Sequence, residues 1–235
     1  MRTALQAIIF DFDGVIADSE PIHLKAFQRA LAEEGIELTS ADYYARYLGF
    51  DDVGLMESLG RDRGIALSEP RVTALVALKG EKFQELLEGG AVLFPGAVDF
   101  INAAAAEVPV AIASGALKHE ILEVVEGAGV AALFKAIVAA GDTPESKPSP
   151  APYLLAFEQL RQATGRPLDA RRCVAIEDSR WGLESARGAG LRCVGVTSSY
   201  RAAELESAAE LVVGGLNELT LDALDRLCAK TLSTR

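Results

Sequence analysis

The sequence predicts an α/β fold, a doubly wound parallel sheet interrupted by a helical insertion, and three observations carry that prediction. Six short apolar runs punctuate the 235 residues, at 7–10, 108–113, 136–140, 173–176, 193–196 and 211–213. Most are separated by stretches with helical spacing, at 96–107, 119–127, 151–162 and 182–189. The interval 18–91, between the first two runs, holds no comparable run. Apolar runs without polar alternation read as strands buried on both faces, and strands alternating with helices build a parallel sheet.

The first run continues as Ile8-Ile9-Phe10-Asp11-Phe12-Asp13-Gly14-Val15, an apolar strand stopped by acid and then by glycine in a tight turn. Strand alternation turns Phe12 away and leaves Asp11 and Asp13 facing the same space. Two carboxylates that close repel unless a cation binds, a proton is shared or water screens them. A hard Mg²⁺ ion is one remedy, and a solvated acidic turn is the ordinary alternative. Residues 21–34 then carry Leu24, Phe27 and Leu31 at helical spacing and stop at Gly35. Residues 55–59 and 75–87 continue the pattern, and Gly89-Gly90 reads as the return before Pro95-Gly96. The expected organisation is a helical cap subdomain at 18–91 inserted into a core made of 1–17 and 92–235. An insertion at a strand end lies over any site built there and reads as a lid.

The next strands each deliver polar residues. Ser114-Gly115 follows 108–113, Ser146-Lys147-Pro148-Ser149-Pro150 follows 136–140, and Glu177-Asp178-Ser179 follows 173–176. Taken singly, Ser114 serves as a helix cap, Lys147 as a solvated cation, and Glu177 and Asp178 as acids at a helix entry. Taken together at one edge of a parallel sheet, they supply a nucleophilic carboxylate, a proton donor, a phosphate-binding hydroxyl, a lysine and metal ligands.

Composition narrows the partners. A net charge of −11 argues against nucleic acid or an anionic membrane. Met1-Arg2-Thr3-Ala4 runs directly into the first strand without a signal peptide, and no window of about 18 apolar residues spans a bilayer. The expectation is a cytoplasmic monomer. Cys173, Cys193 and Cys228 show neither disulfide nor zinc spacing, and the first two read as small core residues.

The ordered set Asp11-Phe12-Asp13-Gly14-Val15, Ala113-Ser114-Gly115, Ser146-Lys147-Pro148 and Ile176-Glu177-Asp178-Ser179 through Gly182 resembles the haloacid dehalogenase-like superfamily. Within it, the likeness is to the Mg²⁺-dependent phosphatase and phosphomutase branch with a helical cap, related to β-phosphoglucomutase and phosphoglycolate phosphatase. The resemblance implies a Rossmann-like core. It implies that Asp11 attacks phosphorus to form an aspartyl phosphate, and that Asp13 protonates the leaving oxygen and then activates water. Ser114, Gly115 and Lys147 would hold the phosphoryl oxygens. Asp11, the Asp13 backbone carbonyl and Asp178 would bind Mg²⁺, with Glu177 assisting through water or hydrogen bonds. A carboxylate nucleophile repels a phosphate dianion, which Mg²⁺ and Lys147 offset. Asp13 must carry a proton at neutral pH, favoured by the adjacent Asp11 and by desolvation under the cap. The dehalogenases need neither Mg²⁺ nor the second aspartate, so Asp13, Glu177 and Asp178 weigh against dehalogenation.

The same resemblance places His23 where the mutases gate attack by a sugar hydroxyl, although His23 also shares a helix face with Phe27 and Ala30. The turn Tyr47-Leu48-Gly49-Phe50-Asp51-Asp52 would face substrate, with Asp51 and Lys79 among the binding residues. β-Phosphoglucomutase carries a lysine and an arginine in that turn for a second phosphate, and this chain has Leu48 and Asp52 instead. That departure disfavours a bisphosphate intermediate and suits a neutral polyol or an amine. Trp181 reads either as a shield of the metal site or as a half-buried helix residue. The functional expectation is a Mg²⁺-dependent phosphatase acting on small phosphorylated metabolites, sugar or polyol phosphates, through the Asp11 phosphoenzyme. A sugar phosphomutase is the enzymatic rival. A phosphometabolite-binding or regulatory protein without turnover is the alternative from another class.

Overall fold

The structure is a computed structural model and describes residues 4–48, 50–87 and 93–230. Met1-Arg2-Thr3, Gly49, the Gly89-Gly90 return and the expected boundary at 91–92 lie outside the described residues. The chain divides into two compact units, one of Met1–Asp18 with Val92–Arg235 and one of Ser19–Ala91.

The larger unit is built on six parallel strands: β1 (Ala7–Phe10), β2 (Val110–Ala113), β3 (Phe134–Val138), β4 (Cys173–Glu177), β5 (Arg192–Val196) and β6 (Leu211–Val213). Their order is β3-β2-β1-β4-β5-β6, and Ile9 pairs in register with Ala111 on one side and Ala175 on the other. The chain therefore winds outward from β1 and crosses back to lay β4 on its other side. This reversal opens a crevice at the carboxyl ends of β1 and β4, where open parallel sheets bind ligands.

Side-chain size differs between the two sheet faces. Ala7, Ala111, Ala113, Cys173, Ala175 and Cys193 join Ile9 on the face that packs against Tyr153, Ala156 and Leu160 and against Leu183 and Ala186. Small strand residues let those two helices approach closely, and the aromatic and leucine side chains fill the space. Alternation puts Phe10 on the other face, where its ring meets Phe100 edge-on at 6.1 Å between centroids. Cys173, Cys193 and Cys228 are buried, and burial pushes all three thiols up to about 12, which suits core packing and not thiolate chemistry.

The expectation that every strand is buried needs correction at the two edges. All three β6 residues are only partly buried, and in β3 Lys135 is exposed while Phe134 and Ile137 are partly buried. A strand paired on one side only lacks the neighbour that would cover it. The second run also yields a shorter strand than expected, because Val108 closes the preceding helix by donating its N–H to the Ala104 carbonyl.

The smaller unit contains α1 (Glu20–Ala32), the single turn α2 (Ser40–Asp42) with a π-turn at Tyr43–Tyr47, α3 (Asp52–Arg63) and α4 (Glu69–Leu87). Leu24, Phe27 and Leu31 of α1 close a core with Leu55, Met56 and Leu59 of α3 and Val72 and Leu75 of α4. The larger unit adds α5 (Ala97–Glu107), α6 (Lys118–Gly127), α7 (Ala151–Thr164), α8 (Arg180–Gly188), α9 (Ala202–Leu205) and α10 (Leu221–Ala229). Among the described residues, no helix is long and apolar enough to cross a membrane.

Candidate active site

The turn after β1 is held by its own backbone. Asp11 donates its N–H to the Ile176 carbonyl at 2.9 Å, extending the β1–β4 ladder by one bond, and Ile16 and Ala17 both donate to the Phe12 carbonyl. Gly14 sits at φ +75° and donates to the Ala17 carbonyl, so the chain reverses within a few residues of the strand. Phe12 is buried, Asp11 is 7% exposed and Asp13 is half-buried. The Asp11 carboxylate also accepts the Phe12 N–H at 2.7 Å.

Lys147 joins the turn to β4. Its Nζ lies 2.9 Å from Asp11 Oδ1 and 2.6 Å from Glu177 Oε1. Glu177 is fully buried, and four donors meet its two oxygens. Lys147 and the Tyr153 hydroxyl donate to Oε1, and the Ser179 N–H and hydroxyl donate to Oε2. The Tyr153 ring also lies 5.1 Å from Lys147 Nζ, a cation–π distance. Those four bonds hold the carboxylate in place, so that it anchors Lys147 beside Asp11.

Asp11, Glu177 and Asp178 are buried, and each offers an oxygen within 4.8 Å of the others. One lysine against three acids leaves the group short of positive charge. Burial, then Glu177, push Asp11 up to about 8 despite Lys147, with Asp13 adding to the rise. Burial, Glu177 and Asp11 likewise hold Asp178 well above the ordinary carboxylate range. Burial alone would lower Lys147, and the attraction of Asp11 and Glu177 reverses this and raises it. An all-oxygen donor set with excess negative charge, walled by protein, fits a hard divalent cation. The fit extends to the wall: a Cβ on Gly14 would collide with the Asp178 carboxylate.

A second glycine is equally constrained. Gly182, in the first turn of α8, donates its N–H to the Ser179 hydroxyl at 3.0 Å, and a Cβ there would fall on the Glu177 carboxylate. Gly182→Ala is expected to lower stability by about 1–3 kcal/mol of overpacking, less up to about 1 kcal/mol regained in helix propensity. Calorimetric unfolding checks this, and a raised Tm would show that Glu177 is free to move.

Ser114 follows β2, whose Ile112 pairs with Phe10, so the strand register sets Ser114 at the same sheet edge as Asp11. It is 4% exposed, and its hydroxyl accepts the Ala116 N–H at 3.0 Å. It does not cap α6, whose N-cap is Leu117. Gly115 is exposed beside it. The larger unit thus bonds Lys147 to Asp11 and Glu177 and brings Asp178 within 4.8 Å of both acids, with Asp13, Ser114 and Gly115 at the same strand ends. Trp181 lies in the first turn of α8 and is 52% exposed.

The helical unit holds the other expected residues in a separate arrangement. Lys79 is 1% exposed, with Nζ 3.0 Å from both Asp52 carboxylate oxygens and 2.8 Å from His23 Nδ1. Its ammonium also lies 5.0 Å from the rings of Phe27 and Phe83, and His23 stacks on Phe83 at 4.3 Å. Asp51 caps α3 through a 2.7 Å bond from the Gly54 N–H.

Two side chains bonded to the acids, Tyr153 and Ser199, and one bonded to the adjoining turn, Ser198, are absent from the sequence reading. Ser199 donates to Asp178 Oδ2 and Ser198 to the Gly14 carbonyl. The two serines carried a signal like the one that marked Ser114, since with Thr197 they form a run of hydroxyls at the end of the apolar stretch 193–196. Tyr153 reads as a core residue of α7, and its hydroxyl is placed only by tertiary packing.

A family model of haloacid dehalogenase-like hydrolases matches residues 5–190. The protein CbbY of Rhodobacter capsulatus is 32% identical over 232 residues, spanning 95% of this chain and 99% of its own length. The phosphorylated carbohydrates phosphatase of Thermotoga maritima is 30% identical over 203 residues, spanning 83% of this chain and 87% of its own. The crystal structure of CbbY from Rhodobacter sphaeroides in complex with phosphate matches with a TM-score of 0.83 at 28% identity, over 94% of this chain and 99% of that one. An Asp-to-Asn variant of that protein, crystallised with xylulose-(1,5)bisphosphate, matches equally well. A buried aspartate at a parallel strand end, bonded to a lysine anchored on the neighbouring strand's glutamate, occurs here on a chain matched over most of its length, and the chain is accordingly a member of the haloacid dehalogenase-like hydrolases.

Proposed function

We propose that this hydrolase is a Mg²⁺-dependent phosphatase that cleaves small phosphomonoesters, sugar or polyol phosphates, through a phosphorylated Asp11. The observation that carries the reading is the 2.9 Å approach of Lys147 Nζ to Asp11 Oδ1 within a buried, charge-deficient group of acids. In this reading an Asp11 oxygen forms a bond to phosphorus as the ester P–O bond breaks, and Asp13 donates a proton to the departing oxygen. Water then attacks the aspartyl phosphate while Asp13 takes its proton back, releasing inorganic phosphate and restoring Asp11. Lys147, the Ser114 hydroxyl and the Gly115 N–H hold the phosphoryl oxygens as charge develops on them. Asp11, Asp178 and the Asp13 carbonyl would hold Mg²⁺, which supplies positive charge to the transferring group when bound. Glu177 orients Lys147, since its own oxygens are already occupied by donors.

The relatives support this substrate class, since one is a phosphorylated carbohydrates phosphatase and another binds phosphate and a sugar bisphosphate. The reading includes 18–91 as a cap that selects the substrate. Within it, Asp52 and His23 place three acceptor atoms around Lys79 Nζ. A lysine so engaged favours a substrate whose non-reacting end is neutral. A panel of phosphorylated metabolites, including xylulose 1,5-bisphosphate, tests the proposal by release of inorganic phosphate with Mg²⁺ and with EDTA. Mg²⁺-dependent release from sugar or polyol monophosphates is expected. Isomerisation of a sugar 1-phosphate without net release would establish the mutase instead, and turnover of the bisphosphate alone would overturn the neutral-end reading.

A further inference from the structure

The polar residues that end β1, β2 and β4, and those in the loop after β3, have places in the mechanism, while those that end β5 do not. Residues 197–200 follow β5 directly and return to the acidic group at two points. The Ser198 hydroxyl donates to the carbonyl of Gly14, in the turn that carries Asp11 and Asp13. The Ser199 hydroxyl donates to Oδ2 of Asp178. These two contacts join segments 184 and 21 residues away in sequence, so one short loop clasps both the turn that carries Asp11 and Asp13 and the carboxylate of Asp178.

The clasp is itself anchored. Thr197 donates its N–H to the Val213 carbonyl of β6 at 3.1 Å. On the far side, Arg201 caps α9, its N–H bonded to Glu204, and Leu205 of α9 is fully buried in the core. A loop tied at both ends presents its hydroxyls at fixed positions, which is what a partner of a ligating side chain must do. Asp178 has little other room, because its carboxylate lies against Gly14 where a Cβ would collide with it. Lys147, 2.9 Å from Asp11 and 2.6 Å from Glu177, is bonded to the other two acids. Ser199 therefore does for Asp178 what Lys147 and Tyr153 do for Asp11 and Glu177.

We propose that Ser199 is a positioning residue for the cation site, fixing the rotation of the Asp178 carboxylate beside Asp11, with Ser198 holding the facing turn. The proposal rests on the metal reading above. A ligating carboxylate free to rotate must be ordered when the cation binds, and loss of such an outer partner weakens metal binding by about 10- to 100-fold.

Isothermal titration of Mg²⁺ into the metal-free protein tests this without reference to turnover. Ser199→Ala is expected to weaken Mg²⁺ binding by about tenfold or more, and Ser199→Thr, which restores a hydroxyl, to return it to within about threefold of wild type. Ser198→Ala, which leaves the Asp178 bond in place, is expected to fall between them. Far-ultraviolet circular dichroism and Tm confirm that each variant is folded. Wild-type Mg²⁺ affinity in a folded Ser199→Ala would overturn the clasp and leave the metal reading standing. Absence of Mg²⁺ binding to the wild type would overturn the metal reading and the clasp with it.

Discussion

Asp11→Asn is expected to reduce phosphate release by at least ~10³-fold, because an amide oxygen does not form the phosphoenzyme and loss of a nucleophile commonly costs several orders of magnitude. The substitution is nearly isosteric, so the turn that depends on Asp11 as an acceptor from the Phe12 N–H retains a carbonyl oxygen at that position. The fold is expected to survive, since burial and Glu177 already disfavour the charge at Asp11. Initial rates on the best substrate of the panel, with circular dichroism as the control for folding, check the prediction. Turnover within tenfold of wild type in the variant would remove Asp11 as the nucleophile.

Lys147→Met separates the charge of the lysine from its bulk, and both stability and rate are expected to fall. The side chain is 14% exposed and is the ammonium shared by Asp11 and Glu177, the latter with no exposure at all. Removing one partner of a buried ion pair costs about 3–5 kcal/mol because a charge stays behind uncompensated. At about 2–4 °C per kcal/mol for a chain of this size, Tm should drop by about 6–20 °C. Protonation of Asp11, already raised by its surroundings, places the expected drop toward the lower end. Loss of a preorganised charge at the transferring group should cost about 10²–10³ in kcat. Differential scanning calorimetry and steady-state kinetics measure the two effects. A Tm within about 2 °C of wild type would show that the acids do not depend on Lys147 for their burial.

Strand positions were legible because apolar runs bounded by polar residues admit few other readings. The ends were not. Val108 belongs to the apolar run by composition, and the structure gives it to the close of α5 because its N–H reaches the Ala104 carbonyl. The difference between central and edge strands was also invisible, since 211–213 is as apolar as 173–176 and is less buried at the end of the sheet, where among the described residues it pairs with β5 alone. Helix α10 was readable but unread: Leu221, Leu224, Leu227 and Cys228 recur at helical spacing and are all buried.

For the site, residue types at strand ends named Asp11, Ser114, Lys147, Glu177 and Asp178 without any coordinates. What they missed was connection. The resemblance places Glu177 beside the metal, assisting through water or hydrogen bonds, and the structure adds Lys147, Tyr153 and Ser179 as the donors that hold its carboxylate. Nor did the sequence show that the Asp51 carboxylate caps α3.

The sequence by itself determined the parallel α/β core, the helical insertion and the chemical identities gathered at the strand ends, because periodicity and the termini of apolar runs are local properties. Only the tertiary structure decided how those groups are wired. Hydrogen bonds such as Tyr153 to Glu177 and Ser199 to Asp178 join segments 24 and 21 residues apart. They exist because α7 packs on the sheet face that holds β4 and because β5 lies beside β4, an arrangement fixed by the packing of the whole sheet and written in no single segment.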